Sequence, residues 1–129
     1  MMGEDMMTER ERIIESYFES WINKNKLTLR KIFDPNIVYS ECYGPEYHGI
    51  DTIENWFDDW NKHGTVLVWN IKQFIHQNHL TAVEWYFKYD YDAEVREFDG
   101  VSLIEFNNDN LIANLKEFQS KTPHYYPYK

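Results

Sequence analysis

With 129 residues the chain is long enough for one hydrophobic core and too short for two, so a single domain over 1–129 is expected. Its 22 acidic against 13 basic side chains leave a formal charge of −9, and the basic residues are scattered. Nucleic acid and anionic membrane both need clustered Lys and Arg, so neither is an expected partner.

Apolar residues make up an ordinary 43% of the chain, but 18% of it is aromatic, which suggests large side chains filling a wide interior. The lone Cys42 allows no internal disulfide and fits a reducing compartment. No apolar run reaches the roughly 18 residues of a membrane span. Residues 1–7 lack the basic and apolar regions of a secretory signal, so a cytoplasmic protein is the expectation.

Taken in order, residues 1–7 read as a loose lead-in. Thr8 and Glu11 form a capping-box pattern, and Ile13, Ile14, Tyr17, Phe18, Trp21 and Ile22 follow at one-turn spacing. The spacing predicts an amphipathic helix ended by Asn23-Lys24-Asn25-Lys26. Leu27 to Phe33 reads as a short second helix, stopped at Asp34-Pro35 because the residue before proline disfavours helix. Ile37 to Cys42 reads as a strand with Ile37, Tyr39 and Glu41 on one face. Tyr43 to Gly49 is a loop, after which Asp51 caps a third helix. That helix buries Ile53, Trp56, Phe57 and Trp60, and Gly64 is its expected left-handed stop.

From Thr65 the period becomes two. Strands are expected over 65–76, 80–91, 97–106 and 111–121, and their short joins imply antiparallel neighbours. On the second of these, Val83, Trp85, Phe87 and Tyr89 form the more apolar face. The tail 122–129 is rich in proline and tyrosine and carries no strand pattern. Three helices against a sheet with four long strands is an α+β plan.

The order of these segments resembles the nuclear transport factor 2-like superfamily, and within it the SnoaL-like proteins and ketosteroid isomerase. The likeness rests on the helix ending at Trp21, the strand entry Phe33-Asp34-Pro35-Asn36-Ile37-Val38-Tyr39 and the helix start Tyr47-His48-Gly49-Ile50-Asp51. It continues through Gly100 to Phe106 and Leu111 to Phe118. The resemblance implies a cone: a strongly curved antiparallel sheet and three N-terminal helices enclosing a pocket. Some members are isomerases, cyclases, dehydratases or epoxide hydrolases, others only bind or scaffold, and many dimerise through the outer sheet face.

The isomerase pattern places its carboxylate base at Glu41, its aromatic hydroxyl donor at Phe18, which has none, and its protonated-acid donor at Ser102. By the same alignment Ala82, Glu84, Tyr86, Ser102, Ile104, Leu115, Glu117 and Gln119 point into the cone. The expected function is small-molecule binding with proton transfer, the candidate catalytic residues being Glu41, Glu84 and Glu117. The expected lining is Phe18, Tyr39, Trp56, Trp60, Tyr86, Ser102, Ile104, Leu115 and Gln119.

A homodimer is expected through Trp85, Phe87, Leu103 and Phe118 on the outer face. No cofactor is expected, nor a metal: of the five histidines, only His76 and His79 are close in sequence, and they straddle a turn. The rival reading is a non-catalytic binding or scaffold module acting through its sheet face.

Overall fold

A computed structural model describes residues 3–128. The elements are α1 (Glu4–Ile22), a 3-10 turn (Lys26–Thr28), α2 (Leu29–Ile32), β1 (Phe33–Ser40), β2 (Glu46–His48) and α3 (Ile50–His63). β3 (Gly64–Gln77), β4 (Leu80–Tyr91), β5 (Glu94–Phe106) and β6 (Ile112–Lys121) complete the chain. The protein is an α+β structure with helices covering one face of a six-stranded sheet of order β2-β1-β6-β5-β4-β3.

Strands β3 to β6 form the expected antiparallel meander. The sheet as a whole is mixed, because β1 lies parallel to β6. Short joins fix the direction of sequential neighbours only, and β1 and β6 are not sequential. The β4–β5 join is Asp92-Ala93, both with positive φ, as a tight type I′ hairpin requires.

Helix α1 begins at Glu4, so the segment read as a lead-in is helical over most of its length, and Thr8 lies inside the helix. Met1 and Met2 fall outside the described residues. Its stripe buries Ile14, Tyr17, Phe18 and Trp21 as expected. Strand β1 starts earlier than the sequence pattern suggests and carries Asp34-Pro35 within it. The β1–β6 register shifts there, which is how a strand tolerates a proline. Glu46–His48, read as loop, forms the short edge strand β2.

Gly49 precedes α3 at φ 87°, a conformation that costs a side-chain-bearing residue heavily, and its N–H donates to the Ile37 carbonyl at 2.8 Å. Gly64 is not a left-handed stop; it is extended, at φ −127°, and opens β3 directly.

The alternation along β4 decides what the interior contains. Val83 and Trp85 are 0% and 1% exposed, and their β5 partners Ser102 and Gly100 are buried with them. Across β6 the same face carries Leu115, Glu117 and Gln119. Ala82, Glu84 and Tyr86 therefore face outward, against the alignment and with the apolar pattern. Trp85 and Phe87 are correspondingly interior and belong to no outer interface, while Leu103 and Phe118 are on the outer face, 40% and 53% exposed.

The Trp85 ring lies over Gly100 so closely that a Cβ there would overlap it, and would also meet the Phe118 carbonyl at 2.6 Å. Gly100→Ala is expected to cost about 1–3 kcal/mol in urea unfolding. A loss near zero would contradict this packing.

Candidate functional site

The helices cover the inner sheet face, and the aromatic side chains do not fill it completely. A cavity of about 40 Å³ remains, lined by Trp21, Trp56, Trp60, Trp69 and Trp85, with Tyr39, Tyr43, Cys42, Val66, Phe87 and Phe98. The chain has five tryptophans, and all five border this one space. Two carboxylates, Glu41 and Glu117, border it too. Glu41, Tyr43, Trp56 and Trp60 also line an open cleft of about 990 Å³ between α3, the 41–47 loop and the β4–β5 hairpin. That cleft is the approach to the inner cavity.

Each wall has a local cause. Trp56 and Trp60 are one turn apart on α3, and Trp21 from α1 packs on both, at 4.9 Å and 5.4 Å between ring centroids. Tyr47 from β2 stacks on Trp56 at 4.7 Å. Trp69 on β3 stacks on Phe18 at 3.8 Å, with ring planes 10° apart. Such pairs contribute about 0.5–1.5 kcal/mol each beyond the area they bury. The rings are held against one another and are not free to collapse into the gap.

Glu41 follows β1 and accepts a hydrogen bond from the Tyr47 hydroxyl at 2.7 Å. Burial raises its pKa, and the Tyr47 bond pulls it back part of the way. Glu117 is on β6, half-buried, and lines the cavity. The Tyr39 hydroxyl donates to it at 2.6 Å, and the Tyr17 hydroxyl donates in turn to Tyr39 at 2.8 Å. Burial pushes the Glu117 carboxyl up to about 8, with the charge of Glu41 adding to the rise. The Tyr39 bond and the Cys42 backbone N–H oppose it.

At neutral pH, then, Glu117 holds its proton and Glu41 is the more acidic of the two. The Cys42 thiol, pushed up to about 12 by burial and the two glutamates, stays protonated and is a poor nucleophile.

Of the residues expected to form the site, Glu41, Glu117, Tyr39, Trp56 and Trp60 come together. Ser102, Ile104 and Leu115 face inward but are packed in the core, Ser102 accepting from the Trp85 indole N–H at 2.9 Å. Gln119 shares the inward alternation but lies beyond the sheltered region, exposed. Phe18 supports Trp69 and does not line the cavity. Glu84 and Tyr86 are on the outer face, where Glu84 accepts from Gln73 at 2.7 Å and Tyr86 donates to Glu97 at 2.8 Å.

Tyr17, expected in the buried stripe of α1, and Tyr47, expected in the helix-start motif, were not among the expected site residues, yet their hydroxyls reach Tyr39 and Glu41. Among the described residues no group of three or more His, Cys, Asp or Glu is placed to hold a metal. No described helix is long and apolar enough to cross a membrane.

The SnoaL-like domain family model matches residues 14–115. The chain belongs to the SnoaL-like family. No curated protein matches. Among solved structures, an LEH-like epoxide hydrolase from M. tuberculosis is similar at TM-score 0.78 and 12% identity, over 88% of this chain and 84% of that one. An NTF-2 like protein of unknown function from Burkholderia xenovorans is similar at TM-score 0.74 and 14% identity, over 95% and 90%. A hypothetical protein with a ketosteroid isomerase-like fold from Catenulispora acidiphila, in complex with trimethylamine, is similar at TM-score 0.73 and 14% identity, over 82% and 83%. At these identities the three structures support the fold alone.

The Glu117 carboxyl ties the SnoaL-like cavity to stability. Its value rises from 4.5 to about 8 on folding, so the folded state binds more protons between those limits. Its contribution is fully present below pH 4.5 and falls by up to ~1.4 kcal/mol per pH unit as pH rises toward 8. Glu117→Gln removes that dependence. Urea unfolding is expected to show the variant gaining on wild type by a few kcal/mol more at pH 8.5 than at pH 4.5. An equal difference at both values would contradict the raised carboxyl.

Proposed function

We propose that this chain binds a small organic molecule in the inner cavity and exchanges a proton with it, Glu41 acting as base and Glu117 as acid. The observation that carries this reading is the pair itself: two carboxyl groups on one aromatic-walled cavity in unequal environments, Glu117 pushed up to about 8 by burial and Glu41 raised by burial with the Tyr47 hydrogen bond opposing. Burial without a basic partner keeps the Glu117 proton in place at neutral pH; burial also raises Glu41, and there the Tyr47 hydrogen bond offsets part of the rise.

A cavity holds one water for each ~10–15 Å³ by this measure, so about 40 Å³ admits a ligand end of roughly three or four non-hydrogen atoms. The rest of a larger ligand extends into the outer cleft along Tyr47, Trp56 and Trp60. The trimethylamine complex of the C. acidiphila protein supports a ligand end of that size. The SnoaL-like family supports an isomerase or cyclase type of proton transfer over hydride or phosphoryl transfer.

The test is deuterium incorporation from solvent into a panel of small ketones and amino ketones, followed by NMR. The protein is expected to accelerate exchange at one carbon of at least one member, and Glu41→Gln to reduce that rate about 10²- to 10⁴-fold. Exchange at the buffer rate for the whole panel would overturn the reading.

The sheet's outer face supports a second role. Leu103, Phe118, Ile75 and Leu80 are exposed there, and Ile75, Ala82 and Leu103 lie in one row across three strands. Pairing of two copies through this face would cover them. Light scattering at micromolar concentration is expected to give twice the chain mass, reverting toward the monomer for Leu103→Glu with Phe118→Glu. A wild-type monomer would end the proposal.

A further inference from the structure

The wall chemistry of the inner cavity is lopsided. It has two carboxyl groups and five indole rings, but among the described residues no lysine, arginine or histidine lines it. The basic residues of the outer cleft are committed at its rim, each to its own acid: His63 to Asp92 at 3.0 Å, Arg96 to Glu94 at 3.0 Å and Lys62 to Asp59 at 3.8 Å. The donors reaching Glu41 and Glu117 are two phenols and one backbone amide, none of them charged. A positive charge is the element this constellation lacks. Indole faces attract cations through their quadrupole, most strongly where water is excluded.

We propose that the inner cavity takes the amino end of a small alkylamine as its ammonium form, the charge seated between Glu41 and Glu117 and the alkyl carbons against the tryptophan rings. The proposal rests on the cavity being the ligand site and names the ligand class for it. An amine arriving neutral takes the proton of Glu117: the carboxyl O–H bond breaks, the nitrogen lone pair forms the new N–H bond, and an ammonium–carboxylate pair results. An amine arriving as ammonium expels the same proton to solvent. In either case the proton exchanged is that of Glu117, and Glu41 is the second carboxyl against the ammonium. Anions of the same size are refused, because no cationic side chain among the described residues lines the cavity to receive them and the carboxyl groups repel them.

Neutral pH is where the exchange is visible. Glu117 faces Tyr39 from β1, Tyr17 from α1, and Glu41 and Cys42 at the end of β1. The tyrosines are raised well above their ordinary value and the thiol to about 12, so Glu117 is the group whose proton is displaced near pH 7.

The test compares isopropylammonium, isopropanol and acetate, which are of similar size and differ in charge. Binding is read by tryptophan fluorescence and by calorimetry at pH 7 in two buffers of different ionisation enthalpy. Isopropylammonium is expected to bind at least about tenfold more tightly than isopropanol, with release of close to one proton, and acetate not to bind. Glu117→Gln should abolish the proton release and weaken the cation at least about tenfold, whereas Glu84→Gln on the outer face should match wild type.

Isopropanol binding as tightly as the cation, or cation binding with no proton released, overturns the amine inference and leaves the cavity as a ligand site. Failure of all three to bind, with fluorescence unchanged, overturns the amine inference; if the exchange panel is silent as well, the reading of the cavity goes with it.

Discussion

A single chain of hydroxyls joins the parts of this structure that matter for its chemistry. Tyr17 from α1 donates to Tyr39 on β1, and Tyr39 donates to Glu117 on β6. Tyr17 and Tyr39 are buried and Glu117 is half-buried, and away from water an unpaired polar atom costs a few kcal/mol and an unpaired charge far more. The chain therefore fixes the helix, the first strand and the last strand relative to one another. It also leaves the carboxyl of Glu117 facing the cavity with its proton retained. Removing any link would leave a buried group without its partner, so the spacing of the three elements and the protonation of the acid are one constraint.

The aromatic walls follow from the same geometry. A sheet curved around three helices cannot be filled by aliphatic side chains of ordinary size, and this chain uses rings braced edge-to-face and stacked. Bracing is what keeps a small space open. A cavity with polar walls takes water or ligand, whereas a wholly apolar one of this size stays dry. Here the two glutamates put carboxyl groups on an otherwise largely aromatic wall, which gives a ligand a defined orientation.

Much of this was legible in the sequence. The stripe through Ile14, Tyr17, Phe18 and Trp21 and the period-two strands gave the layers, and the SnoaL-like likeness gave their order. Glu41 and Glu117 were named as candidates from the family alignment; Glu117 lies on the inward alternation of β6, and Glu41 directly follows β1. Glu84 and Tyr86 were misplaced because the alignment shifted β4 by one residue, which turns every side chain to the opposite face. The apolar run Val83, Trp85, Phe87, Tyr89 had the right phase, since burial of large rings decides a strand's orientation more firmly than a distant likeness does. The parallel β1–β6 pairing and the hydroxyl link from Tyr17 through Tyr39 to Glu117 depend on contacts between segments far apart in the chain, and no local pattern carries them.

The unequal protonation of Glu41 and Glu117 underlies both the proton-exchange reading and the preference for an amine. Carbon-13 NMR of the glutamate carboxyl carbons, assigned with the single Gln substitutions, measures it directly. The account predicts that Glu117 titrates near 8 in the free protein, well above Glu41. Both carboxyls titrating together in the ordinary glutamate range would contradict it.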